Sequence, residues 1–407
     1  MSRIFALLIC FLVPLFSLEN MALKDIVKEL NTPTSKPIIM PKTKKFLEQT
    51  HAWFDYQGEL SALLAQKIHD KKDLKIRIFG DSHIAGDFLS HQLRGLLFES
   101  NAFGFVYPLY PAYHQNITLA YESENITLIN VRKDEYADYP MGGIVAQPSK
   151  LPARIKLTPK IQLPMATLTK IIFKSPHKKE AILIQDAHDK RYKINAKRAD
   201  VWQTIELNLQ YPFEVQFLDE KVELGGFFIY QPKENRFVEN IGINGAKSDI
   251  WRKWEERVFM QTMRLLPADL VILCYGSNDA LYDNFNPQVF LKDYGDLIDK
   301  IKITNPDASI LLIAPPTVVS KITPAKKTKK SKATYKITKN FQPVKKSIHE
   351  LAEQKHTLLF DMDDFMNESG GKKKWEELSL AKLDVHLLPL GYRLMADKIF
   401  YELERLK

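Results

Sequence analysis

Short apolar runs bounded by turn residues recur along this chain, and they come in two textures. In the first, strand-length runs alternate with stretches of helical spacing. Leu74-Lys75-Ile76-Arg77-Ile78-Phe79 alternates, then gives way across Gly80-Asp81 to Phe88, Leu89, Gln92, Leu93, Leu96 and Leu97 at helical intervals. Runs ending near Gly242, at Tyr275, at Ile313 and at Phe360 read as four more strands. Helices are predicted over 43–72, 248–266, 287–303, 340–354 and 390–406. Strands apolar on both faces and separated by helices predict a parallel sheet covered on both sides. Right-handed crossovers then give a three-layer α/β/α sandwich with a five-stranded parallel sheet.

The second texture runs from Phe105 to Pro232. Ile126-Thr127-Leu128, Ala181-Ile182-Leu183-Ile184, Thr204 to Leu209 and Phe213 to Phe217 are short, mostly alternating, and separated by turn residues. No long helical period intervenes, so an antiparallel β-sandwich is predicted. Its position within the α/β pattern makes it an insertion. The expected organisation is 21–104 with 233–407 as one discontinuous domain and 105–232 as the inserted one. Residues 22–45 are polar and spaced by Pro33, Pro37 and Pro41, which predicts an arm outside the core.

Candidate chemistry lies at strand ends. Ser82 follows a strand and opens a helix, where ligands bind in open α/β sheets and where unpaired N–H groups suit a developing oxyanion. A second apolar strand ends in Gly276-Ser277-Asn278-Asp279. Near the C-terminus stands Asp384-Val385-His386, kept out of a helix interior by Pro389 and Gly391. In extended chain, residues two apart point the same way, so Asp384 can hold the His386 imidazole in the tautomer an activated serine needs.

Gly-Asp-Ser, Gly-x-Asn-Asp and Asp-x-His, in that order, resemble the SGNH (GDSL-type) esterase family. Its four marks are a Ser, a Gly, an Asn and a His; here they fall on Ser82, Gly245 in Ile241-Gly242-Ile243-Asn244-Gly245-Ala246, Asn278 and His386. His83 after the serine, and a two-residue step from Asp384 to His386, depart from most members. Both resemble the branch of campylobacter-type peptidoglycan O-acetylesterases, as does Gly80-Asp81-Ser82-His83-Ile84-Ala85-Gly86-Asp87. The resemblance implies a flavodoxin-like SGNH sandwich with a carbohydrate-binding-like insert. It also implies a Ser82–His386–Asp384 triad, an oxyanion hole from the Ser82 and Gly245 N–H groups with the Asn278 amide, and no metal or cofactor. The implied reaction removes O-acetyl groups from muramic acid residues of peptidoglycan glycan chains. Three alternatives stay open: an O-acetyltransferase using the same triad, a lipase or nuclease on the same fold, and a non-catalytic wall-binding protein.

Charge and termini change the picture in two respects. Lys and Arg number 58 against 49 Asp and Glu, a net +9 that favours acidic partners. No helix-turn-helix, RNP or Cys/His finger pattern supports nucleic acid. Lys321 to Lys339 holds eight lysines in nineteen residues and reads as a solvated loop or a basic lip. Residues 1–20, with Arg3 before an apolar run from Ile4 to Phe16, read as a secretory signal peptide. A periplasmic protein, not integral to the membrane once the signal is removed, is the expectation. Cys274 would then be its single cysteine, leaving no disulfide and no thiolate zinc site.

Overall fold

The computed structural model describes residues 16–70, 73–98, 103–161, 167–230, 236–265, 267–322 and 334–407. Its main sheet has six strands, ordered Trp53–Asp55, Leu358–Asp361, Ser309–Ala314, Leu270–Cys274, Lys75–Gly80 and Phe237–Gly242. Five run parallel, and Trp53–Asp55 pairs antiparallel with Leu358–Asp361 at one edge. The α/β class with a five-strand parallel core is therefore as the pattern predicts. The added edge strand lies inside the stretch read as one helix over 43–72. That stretch divides into helix Pro41–Glu48, the strand, and helix Glu59–Asp70. Gly58, at φ +65°, makes the turn between the last two.

Two further departures have physical causes. Residues 22–45 are not an outlying arm. A helix over Phe16–Leu30 buries Leu23, Ile26 and Leu30 in the same cluster as Leu394 and Ile399 of the C-terminal helix Pro389–Leu403. The stripe of Leu23, Ile26, Val27 and Leu30, set among charged residues, is too thin to read as core. The carboxylate of Glu29 then accepts the Thr43 N–H at 2.7 Å and its hydroxyl at 2.9 Å, tying the Pro-spaced segment down. The sheet is also not apolar throughout: Arg77 and Glu239, opposite one another on adjacent strands, form a fully buried ion pair. The other Glu239 oxygen accepts the Phe105 N–H at 2.6 Å.

Phe105 begins the second architecture. Two antiparallel sheets face each other, one of five strands (Arg191–Asn195, Glu180–Gln185, Phe213–Phe217, Ala153–Pro159, Leu119–Glu124) and one of six. The six-stranded sheet includes Ile144–Pro148, Thr167–Lys174 and Glu223–Tyr230, and its Ile126–Asn130 strand leads to the turn Asn130–Asp134. Ile155, Ile182, Val215 and Phe227 fill the space between them. The sandwich is fused to the α/β layers: Phe105, Tyr107, Tyr139 and Trp202 share one apolar cluster with Phe79, Trp254 and Phe259. Several aromatics able to stack on sugars are thus core, while Tyr113 is exposed. The segment 321–339 is described only at its ends, where Val319–Ile322 and Thr334–Ile337 pair antiparallel; residues 323–333 and the apolar run before Phe16 lie outside the described residues. Among the described residues no helix is long and apolar enough to cross a membrane.

On the C-terminal helix Asp397 is buried against Gln92, whose amide donates to one carboxylate oxygen at 2.7 Å. Burial pushes its pKa up to about 7. The folded chain then holds a proton that the unfolded chain has released, so stability falls as pH rises toward 7. Asp397→Asn keeps the acceptor and removes the ionisation. It should raise Tm by about 2 °C or more at pH 8 while changing it little near pH 4; an equal shift at both would contradict this.

Candidate active site

Three parallel strands end level with one another. Gly80 stands opposite Cys274 on one side and Gly242 on the other. The turns that follow carry Ser82, Asn278 and Gly245, so residues far apart in sequence meet at the carboxyl edge of the sheet. Glycine is required at two of these ends. A Cβ on Gly242 would collide with the Ala85 backbone, and one on Gly80 would stand 2.8 Å from the Cys274 carbonyl oxygen. Ser82 opens a one-turn helix, Ser82–Ala85, whose cap is Asp81; its carboxylate accepts the His83 N–H at 2.9 Å.

The Ser82 Oγ lies 2.9 Å from His386 Nε2, and His386 Nδ1 lies 3.0 Å from Asp384 Oδ1. The same carboxylate oxygen accepts the His386 backbone N–H at 2.9 Å. Asp384 therefore holds its neighbour through a tight turn, in place of the extended-chain alignment expected from sequence. With Nδ1–H donating to Asp384, Nε2 is left to accept the serine proton. Burial raises the Asp384 pKa, yet the His386 N–H and imidazole outweigh it and hold the carboxyl below the usual range. Lys372 Nζ donates to the Asp384 carbonyl at 2.6 Å and braces the turn.

Around this line lie the expected oxyanion donors. Gly245 has φ +79°, and among the described residues no backbone hydrogen bond of these turns engages the Ser82 or Gly245 N–H. Asn278 Nδ2 donates to the Ala246 carbonyl at 2.9 Å and to Asp81 Oδ2 at 3.2 Å. Asp81 is fully buried, and burial pushes its pKa up to about 7. Asp279, also raised by burial to about 6, accepts the Ser248 N–H and hydroxyl and fixes that loop.

Both ring nitrogens of His83 are engaged by residues other than Ser82. Its Nδ1 meets the Tyr392 hydroxyl at 3.1 Å and its Nε2 the Ser277 hydroxyl at 3.0 Å, which locks two turns together. Nothing in the sequence pointed to Tyr392 or Ser277. Nor did it point to Arg132, whose guanidinium lies against the α-carbon of Gly245, so that a Cβ there would collide with it. Arg132 comes from the sandwich, and only the fold brings it here. Among the described residues His349, Asp361 and Asp364 could together face a cation. Lys345 already fills that role, with its ammonium 3.2 Å from Asp361 and 2.5 Å from Asp364.

Residues 229–394 match the family model of GDSL-like lipases/acylhydrolases, and residues 102–214 match that of the N-terminal region of peptidoglycan O-acetylesterases. Residues 229–394 thus form a domain of the GDSL-like lipase/acylhydrolase type, which supports an esterase. Within that class its resemblance is to the peptidoglycan O-acetylesterases. A solved structure described as peptidoglycan O-acetylesterase in action superposes with a TM-score of 0.74 at 24% identity, over 88% of this chain and 99% of that one. A GDSL-like lipase from Parabacteroides merdae aligns at 20% identity over 42% of this chain and 74% of its own, with a TM-score of only 0.33. No curated protein matches the sequence. Ser82 falls outside both matched stretches, whereas Gly245, Asn278, Asp384 and His386 fall inside the second. Strand register alone reunites them.

Burial, and then the nearby His386 charge, push the His83 pKa down to about 3. Imidazole 15N shifts of His83 should therefore stay constant from about pH 5 to 8. A titration near the ordinary imidazole value would contradict the buried, neutral role given to it.

Proposed function

We propose that this protein is a serine esterase that removes O-acetyl groups from muramic acid residues of peptidoglycan through an acetyl-enzyme intermediate. The observation that carries the reading is the unbroken line Asp384–His386–Ser82 at the carboxyl edge of the sheet, in a chain that pairs a GDSL-like domain with the N-terminal region of peptidoglycan O-acetylesterases. Ser82 Oγ attacks the acetyl carbonyl as His386 Nε2 takes its proton; Asp384 keeps the ring oriented and stabilises the imidazolium. The Ser82 and Gly245 N–H groups receive the oxyanion, together with Asn278, which releases its longer bond to Asp81 to do so. His386 then protonates the departing sugar oxygen. Water, deprotonated by the same imidazole, splits the acetyl-serine and frees acetate.

Residues 21–104 and 233–407 carry the chemistry in this reading, and 105–232 place the glycan. The substrate lies outside the cytoplasm, so the protein acts there. Residues 1–20 are its export signal, and the periplasm is its compartment. The reaction requires no metal or cofactor.

Ser82→Ala and His386→Ala should each lower kcat/KM for acetate release by about 10³-fold or more, with Tm close to that of the parent. Asp384→Asn should be comparably or somewhat less damaging. Asn278→Ala should cost about 10²–10³-fold in kcat. Retention of more than about a tenth of the activity in His386→Ala would remove that residue as the base.

A further inference from the structure

We infer that the cleft beside Gly245 and Asn278 is a carboxylate seat, built by Arg132 of the sandwich and Lys253 of the α/β layers, that selects an acidic group next to the ester. This rests on the esterase reading above and names what the same site recognises.

The cleft is open, about 610 Å³, and Arg132, Gly245, Lys247, Arg252, Lys253 and Asn278 are among its lining residues. Its four cations are not equivalent. Lys247 pairs with Asp249 at 2.9 Å, and Arg252 pairs with Asp293. Among the described residues no carboxylate pairs with the Arg132 guanidinium, and the Lys253 ammonium donates to the Val131 carbonyl at 3.2 Å. Two positive charges therefore stand uncompensated at the mouth of the oxyanion turn.

The backbone of Arg132 is fixed by the turn that carries it, and Lys253 reaches the same turn through its bond to Val131. Asn130 Oδ1 accepts the Arg132 N–H at 3.0 Å, its carbonyl accepts the Asp134 N–H at 2.9 Å, and Asp134 accepts the Asn130 N–H at 2.7 Å. Val131 between them is fully buried, and the Glu255 N–H donates to the Tyr139 carbonyl at 2.9 Å, joining the two walls. The rigid turn fixes where the arginine starts from, and its planar fork can take a carboxylate bidentately. Arg132 is exposed, as a side chain that meets a polymer from solvent must be, and its guanidinium lies against the α-carbon of Gly245.

The chemistry of the ligand follows. Muramic acid carries a lactyl carboxyl, free when its peptide is removed, and intact stems carry carboxylates of their own. Acetylated chitin-type chains carry neither. The seat would therefore separate peptidoglycan from neutral acetylated glycans, and its contribution would be screened by salt.

The test compares acetate release by the full-length protein from three substrates. These are O-acetylated peptidoglycan with its stems, the same glycan stripped of stems by an amidase, and a neutral O-acetylated chito-oligosaccharide. Arg132→Gln should lower kcat/KM on an acidic glycan about tenfold relative to the neutral one, mainly through KM, with Lys253→Gln acting in the same direction. Arg132→Lys should keep part of the preference, and added salt should erode that of the parent. A loss confined to stem-bearing glycan assigns the carboxylate to the peptide; a loss on the stripped glycan assigns it to the lactyl group. Equal losses on all three substrates would overturn the seat. A parent protein that releases no acetate from either acidic glycan would instead overturn the esterase reading itself, a result visible before any variant is made.

Discussion

The parallel register of three strands is the constraint on which the site depends. Gly80, Gly242 and Cys274 end the strands side by side, so the turns beyond them carry Ser82, Gly245 and Asn278 at the same edge of the sheet. A slip of one residue between Lys75–Gly80 and Phe237–Gly242 would turn Arg77 away from Glu239 and separate the two N–H donors. Fully buried, that ion pair is costly to disrupt by removing one partner, and so it specifies the register more than it adds to stability. Asp81 extends the same logic past the strand ends, capping the serine helix with one oxygen and reaching Asn278 with the other.

The sandwich is bound into this frame. Glu239 takes the Phe105 N–H, Asp87 takes the Thr118 hydroxyl at 2.6 Å, and a shared aromatic cluster runs from Phe79 to Trp202. Asp87 also pairs with Arg94 and accepts from Ser90 at 2.5 Å, so the last residue of the Gly80–Asp87 stretch joins helix, sheet and sandwich at one point. Such a joint makes the insertion part of the wall of the site, where Arg132 stands, rather than a module on a tether.

Much of this was legible from periodicity. The five parallel strands and the helices between them follow from apolar runs and their spacing, because burial on both faces leaves a plain signature in sequence. Short polar-flanked elements left a weaker one: the Trp53–Asp55 strand spans three residues, and the Phe16–Leu30 helix shows three buried positions in its described side chains. The Arg77–Glu239 pair was hidden because an alternating strand with charges normally shows them to water. At the site, Ser82, Gly245, Asn278 and His386 were marked by short motifs. Arg132 and Tyr392 carry no motif, Ser277 is the variable position of Gly-x-Asn-Asp, and only tertiary contact shows what they touch. The turn of Asp384 onto His386 likewise depends on a backbone hydrogen bond that side-chain spacing does not reveal.

The central claim is that Ser82 is the nucleophile of an acetyl transfer to water. Mass spectrometry of protein quenched during turnover of an O-acetylated glycan tests it most directly. An acetyl group on the peptide containing Ser82, absent in Ser82→Ala and accumulating more slowly in His386→Ala, is the predicted result. Steady acetate release with no acetyl-serine at any quench time, or with the acetyl group on another residue, would contradict it.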